Sequence, residues 1–186
     1  MDSPDTDADI VAKSLTEKEA FAVLISRYEG KLSRYIARLG IRDEEDRSDV
    51  LQNVFIKVYQ NLNAYDSSLS FSSWIYRIAH NEAISFFRAK KVRPEGNLIE
   101  EGEEVLNTLA HDAEIVEGVD ARIDATHLTT ALSMIDRKYR EVLVLRFFEE
   151  RDYSDISDIL EIPMGSVATL IHRAKKALAK EVAHIQ

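Results

Sequence analysis

Three sets of side chains in this 186-residue sequence have types and spacings suited to binding. Trp74, Arg77, Asn81, Ser85 and Arg88 recur at three- and four-residue intervals, so a helix would line them along one face. An indole, two guanidiniums and an amide on one surface can stack on nucleobases and hold phosphates. The same helix would end in Arg88, Lys90, Lys91 and Arg93, a basic cluster that extends this surface or simply suits the negative end of the helix dipole. A second set, Thr169, His172, Arg173, Lys176 and Lys180, has Ala168 and Lys175 on its shoulder. From Gly165 to Lys180 there are four bases and no acid. The third set, Asp49, Gln52, Asn53, Ile56 and Gln60, falls on one side of a helix running from about residue 45 to 62. Ile56 is apolar among polar neighbours. It is either a stray surface isoleucine or the anchor of a partner-binding stripe.

Nothing comparable suggests catalysis. The five histidines, 80, 111, 127, 172 and 184, are scattered, with no nucleophile–base or metal-ligand spacing. His80 and His172 read as helix-surface residues. There is no cysteine and no glycine-rich phosphate loop, so neither a metal nor a cofactor is expected and the chain is not expected to be an enzyme.

The elements that must position these faces are helices. Phe21, Leu24, Ile25, Tyr28, Leu32, Tyr35, Ile36 and Leu39 give one apolar stripe, ended by Gly40; Thr16 and Glu19 are spaced for a capping box ahead of it. The acidic run Asp43–Asp46 opens the next helix, whose inner arc is Val50, Leu51, Val54, Phe55, Val58 and Leu62. After a polar turn at 63–70 comes a helix over about 71–91, with Phe71, Ile75, Ile78, Ala79 and Phe86 as its apolar face. Further on, Asp152 suits an N-cap, a break at 161–166 follows, and Val167, Ile171, Ala174 and Leu178 stripe a last helix over about 166–182. Two helices joined by so short a break form a helix-turn-helix pattern.

The net charge of −9 argues against a nucleic-acid partner, but its distribution does not. Residues 94–125 carry ten acids and one base, whereas residues 21–93 carry twelve bases and eight acids. The expected architecture is therefore all-α: two small helical domains joined by a flexible acidic linker, the C-terminal one a helix-turn-helix. The expected divisions are a disordered acidic tail over 1–8, a first domain over 9–93, a linker over 94–125 and a second domain over 126–186. No apolar run approaches the roughly 18 residues of a membrane span, and a cytoplasmic location is expected.

These residues resemble the extracytoplasmic-function (ECF) sigma factors of the sigma-70 superfamily. Asp49-Val-Leu-Gln-Asn-Val-Phe55 is similar to the family's DxxQxxF-type helix, and the segment from Phe71 through Trp74 to Asn81 to its FxxWLYRIAxN pattern. Tyr153 to Leu160, Gly165-Ser-Val and His172 to Leu178 resemble its C-terminal helix-turn-helix. The resemblance implies a bacterial promoter-specificity subunit, with core RNA polymerase, promoter DNA and an anti-sigma factor as partners. It implies that Asp49, Gln52, Asn53, Ile56 and Gln60 dock on core polymerase. Tyr65, Asp66, Ser67, Ser68 and Asn81 would read a base flipped from the minus-ten element. Trp74 and Arg77, with Arg88 and Lys91, would support strand opening and the backbone. Ser166, Ala168, Thr169, His172, Arg173 and Lys176 would meet the minus-thirty-five element.

The sequence departs from the family pattern in two places. Ala168 and Leu170 stand where polar or basic side chains are usual, which should weaken phosphate contacts. Glu161 stands where the turn usually has glycine, and implies either a strained left-handed residue or a different turn. The linker is either a nucleic-acid mimic along the polymerase's RNA path or a solubilising tether. The competing function is a stand-alone helix-turn-helix regulator with an N-terminal sensing or dimerisation bundle.

Overall fold

Apolar side chains recurring every third and fourth residue make helix the dominant local structure, and each helix then needs a partner for its stripe. The computed structural model describes residues 5–90 and 125–185, with no strand among them. They form two units, Met1–Ile36 with Arg42–Val92 and Ala37–Ile41 with Arg93–Gln186. Each is described by itself.

The first unit begins with α1, Asp7–Ser14, two residues inside the segment expected to be a disordered tail. A reciprocal box explains its start: the Asp9 amide donates to the Thr6 hydroxyl at 3.2 Å, and the Thr6 amide to the Asp9 carboxylate at 3.0 Å. The box expected at Thr16 and Glu19 does not form. The Thr16 hydroxyl instead donates to the Lys13 carbonyl at 3.1 Å, and the 3-10 turn Lys18–Ala20 has no side-chain cap. Helix α2, Phe21–Leu39, buries the expected stripe except for Ile25, which is half-exposed, and ends at Gly40, whose φ of 118° is costly for any residue with a Cβ. Helix α3, Glu44–Asn61, is capped by the Asp43 carboxylate, which accepts from the Asp46 amide at 3.0 Å.

Helix α4, Phe71–Lys90, packs against α3 and also touches α1. Because it has neighbours on more than one side, its buried face is broader than a single stripe. Tyr76, His80, Ala83 and Ile84 are buried along with Phe71, Ile75 and Ala79. Phe87 rather than Phe86 reaches the core, and Phe86 and Ile78 are half-exposed. His80 is correspondingly not a surface residue: its Nδ1 lies 3.1 Å from the Tyr35 hydroxyl, inside the unit.

The second unit contains α5, Ala125–Met134; α6, Arg137–Leu143, which runs on into a π-turn at Val144–Phe148; α7, Tyr153–Leu160; and α8, Met164–Ile185. Helix α8 is its spine, packing on α5, α6 and α7 through Val167, Ile171, Ala174, Leu178 and Val182. Asp152 caps α7 by accepting from the Asp155 amide at 2.8 Å. The buried Arg140 closes α5, donating from Nε to the Leu132 carbonyl at 2.9 Å and from Nη2 to the Ser133 carbonyl at 2.6 Å. Among the described residues no helix is long and apolar enough to cross a membrane. Lys91 and nearly all of the segment 94–125 lie outside the described residues.

Between α7 and α8, Glu161 takes the left-handed conformation, φ 53° and ψ 42°, so the turn is the usual one held by an unusual residue. Replacing it should relieve this: Glu161→Gly is expected to stabilise the second unit by about 1 kcal/mol, and Glu161→Ala should not. Urea unfolding followed by circular dichroism checks this, since the single tryptophan, Trp74, lies in the other unit.

Glu141 gives a second test. Burial pushes its carboxyl up to about 7, against the opposing pull of Arg137 and Arg140. The folded chain therefore holds this proton more tightly than the unfolded chain, where the group keeps its ordinary 4.5. Its contribution to stability is fully present below about 4.5 and falls as pH rises to about 7. Glu141→Gln should flatten the pH dependence of the urea midpoint across that interval.

Candidate partner and nucleic-acid interfaces

The inner side of α3 is fixed by Val50, Val54, Phe55 and Val58, all buried, so the opposite side must face outward. Asp49, Gln52, Asn53, Ile56 and Gln60 are all exposed there. Ile56 is 47% exposed, well beyond what a core-edge isoleucine shows. Tyr59, which the sequence reading passed over, is 41% exposed and meets Phe21 edge-on at 5.1 Å. Its position three residues beyond Ile56 was the available signal, because such residues are neighbours on a helix. Lys57, on the flank, is ion-paired with Glu82 of α4.

The loop before α4 is braced from within. The Tyr65 hydroxyl donates to the Leu69 carbonyl at 2.5 Å, and the Leu69 amide to the Asp66 carbonyl at 3.0 Å. The Asp66 carboxylate accepts from the Ser68 amide at 2.9 Å, and that bond holds its carboxyl below the ordinary aspartate value. The Ser70 hydroxyl accepts from the Ser73 amide at 3.3 Å at the start of α4. Tyr65 is half-buried, with ring centroids of Phe71 and Trp74 at 5.3 and 5.2 Å. Asp66, Ser67, Ser68 and Leu69 form an exposed tip. Leu69, 49% exposed, was also not anticipated. A single leucine in a polar turn has no periodicity to mark it.

The α4 stripe divides into two parts. Trp74 and Arg77 are half-buried, and Trp74 leans on Phe71 and Tyr65, so the indole is a wall of the loop more than an open stacking platform. Asn81, Ser85 and Arg88 are exposed further along, with the Ser85 hydroxyl donating to the Asn81 carbonyl at 2.8 Å. The seven residues from Trp74 to Asn81 correspond to roughly 10 Å of helix. Trp74 thus stands beside Tyr65 and the loop, while Asn81 and Arg88 lie progressively farther along the helix. Lys90 is held by Asp46 and sits over the Phe86 ring, so it serves the fold.

In the second unit the outward face of α8 carries Ser166, Ala168, Thr169, His172, Arg173 and Lys176, all exposed, with Lys180 beyond. Lys175 instead lies over the Phe147 ring at 5.6 Å. Tyr153 and Met164, at the starts of α7 and α8, are exposed at 38% and 58% and flank the same turn. The start of a 22-residue helix also presents a positive dipole end, suited to a phosphate. Among the described residues no group of histidine and carboxylate side chains is arranged to hold a metal ion.

Comparison with known proteins agrees with this layout. Residues 24–93 match the sigma-70 region 2 model, and residues 127–178 match sigma-70 region 4. The chain is 30% identical over 172 residues to the ECF RNA polymerase sigma factor SigW of Bacillus subtilis, covering 89% of this chain and 90% of that protein. It is 32% identical over 178 residues to the RNA polymerase sigma-H factor of Pseudomonas aeruginosa, covering 88% and 86%. In fold it is similar to CnrH, solved in complex with the cytosolic domain of CnrY, with a TM-score of 0.68, 22% identity and coverage of 95% and 96%. It is also similar in fold to the sigma factor RpoE of Bartonella quintana, solved with the anti-sigma factor NepR, at a TM-score of 0.61 and 18% identity, covering 88% and 96%. With region 2 and region 4 in order and full-length relatives at this identity, the chain belongs to the ECF RNA polymerase sigma factors of the sigma-70 family.

Proposed function

We propose that this sigma factor divides promoter recognition among three outward faces and performs no chemistry of its own. The α3 face of Asp49, Gln52, Asn53, Ile56 and Gln60 docks on core polymerase, with Ile56 as its apolar anchor and Tyr59 beside it. The loop tip of Asp66, Ser67 and Ser68 receives a base extruded from the minus-ten element. Tyr65 and Trp74 form the wall behind it, Arg77, Asn81 and Arg88 follow the strand along α4, and Lys91 would extend that path. The α8 face from Ser166 to Lys176 enters the major groove at the minus-thirty-five element. One observation carries the reading: the α3 and α8 faces are exposed and each backs onto an apolar stripe that fixes its direction, and the loop tip is exposed in front of the Tyr65, Phe71 and Trp74 rings.

The energetics are consistent with the arrangement. Extruding a base costs a few kcal/mol, least where stacking is weak, so an already shaped loop gains selectivity from both contact and meltability. The α8 side chains Arg173 and Lys176 supply phosphate attraction. Ala168 does not, so this unit should lean less on salt-sensitive contacts than a more basic relative would. Work of this kind takes place where the polymerase is, in the cytoplasm. An anti-sigma factor is a further proposed partner, on the analogy of the fold relative solved with NepR. The linker 94–125 is proposed to serve the polymerase complex as an acidic tether.

Run-off transcription from a genomic promoter library tests the function directly. Adding the full chain to core polymerase should yield transcripts absent from core alone. Duplex binding with no polymerase requirement would instead indicate a stand-alone regulator. The α3 assignment has its own test. Ile56→Arg should reduce core binding at least tenfold, about 1.4 kcal/mol or more, and leave the unfolding midpoint unchanged, because the side chain lies outside the core. Unaltered binding would show Ile56 to be incidental.

A further inference from the structure

The first described residues make contacts that no outward face requires. Asp7 opens α1 and reaches α2, where its Oδ1 accepts from the Arg27 guanidinium at 2.6 Å and its Oδ2 accepts from the Tyr28 hydroxyl. The other arm of Arg27 donates to the Asp5 carbonyl at 2.9 Å. The Arg27 and Asp7 side chains are 32% and 27% exposed, so this is a charge-assisted clasp partly shielded from water.

From the clasp a chain of contacts leads to the loop. Tyr28 is buried, and its ring meets Phe71 edge-on at 5.6 Å. Phe71 in turn meets Tyr65 edge-on at 5.3 Å, and the Tyr65 hydroxyl holds the Leu69 carbonyl. Asp7 is also felt at Tyr65 through space: burial first, then the negative charges of Asp7 and Asp66, push that phenol above its ordinary value. Tyr65 and Phe71 are the two ends of the loop, since residues 66–70 between them are all exposed. A loop without a core of its own keeps one shape only if its ends are fixed, and displacements of about an ångström degrade recognition.

We propose that Asp7 is a positioning residue for base recognition: by holding the Tyr28 hydroxyl it fixes the Tyr28–Phe71–Tyr65 rings and with them the loop that receives the extruded base. This rests on the reading of residues 66–68 as the minus-ten pocket. The acid-rich N-terminus is then more than a solubilising tail.

The test uses holoenzyme assembled from the full chain and core polymerase on a promoter recovered in the run-off screen. The readout is the ratio of transcription with the preferred base at the extruded position to that with a transversion. Asp7→Asn keeps the shape but loses the charge. It should lower the ratio about fivefold, as expected for coupled residues of one network, with core affinity unchanged and Asp7→Glu recovering part of the loss. Val11→Ala is the control: it loosens the buried side of α1 while all three side chains of the clasp, Asp7, Arg27 and Tyr28, are kept. A merely structural Asp7 would lower the ratio only in step with lost stability, as Val11→Ala does, and that result overturns the proposal.

Trp74, the single tryptophan, supplies a readout without DNA, since it stands 5.2 Å from Tyr65 and 5.6 Å from Phe71. Acrylamide quenching of its fluorescence should rise in Asp7→Asn and not in Val11→Ala; equal quenching in both overturns the relay. Ser67→Ala separates the two levels of inference. If it lowers the ratio and Asp7→Asn does not, the positioning role falls and the loop assignment stands. If Ser67→Ala also leaves the ratio unchanged, the loop assignment falls and takes this inference with it.

Discussion

The packing of α3 against α4 sets the direction of the two proposed binding surfaces in the first unit. Val50, Val54, Phe55 and Val58 all turn inward from α3, towards a core that includes Ile75 and Ala79 of α4. Each such side chain is worth about 1.5–3 kcal/mol when buried, so turning α3 half a revolution would forfeit about 6–12 kcal/mol. That is comparable to the whole stability of an ordinary domain, about 5–15 kcal/mol. The helix therefore has one admissible orientation, and Ile56 faces outward because the valines cannot. The direction of the proposed partner face is a by-product of the core.

What was legible from the amino-acid order follows the same physics. Stripes such as Val167, Ile171, Ala174 and Leu178 repeat with the helix and report their buried side directly, which is why the outward face of α8 could be read in advance. The Asp152 cap was equally plain, and the acidic run from Asp43 marked a helix start. Features that depend on a second element were not. His80 reads as polar surface until Tyr35 supplies its partner from another helix. Phe86 and Phe87 are adjacent, and only the neighbours of α4 decide which goes in. The Thr6–Asp9 box and the Thr16–Glu19 pair look alike in sequence, yet only the first precedes a turn free to become helix. Within the binding faces, the exposure of Ile56 and Thr169 was predictable, whereas the indole of Trp74 turning inward was not.

Charge is placed with similar economy. The first unit uses acids at helix starts, where Asp9 and Asp43 meet orphan amides, and as partners for bases, as in the Lys57–Glu82 and Lys90–Asp46 pairs. Acids used in this way do not face the strand that Arg77 and Arg88 are proposed to follow. In the second unit Asp152 and Asp155 lie on α7, while the outward face of α8 carries none. A net charge of −9 is compatible with nucleic-acid binding because the sign of a surface depends on where its charges are used, and much of the excess lies in residues 94–125.

Arg140 has a consequence for how the second unit comes into being. Helix α5 spans ten residues, too few to persist alone in water, and its last carbonyls are closed by a guanidinium from the helix that follows. Helix α6 gains from the same bonds, because they are what keep its buried cation solvated. Neither helix is complete without the other, so the two form and open as one cooperative piece.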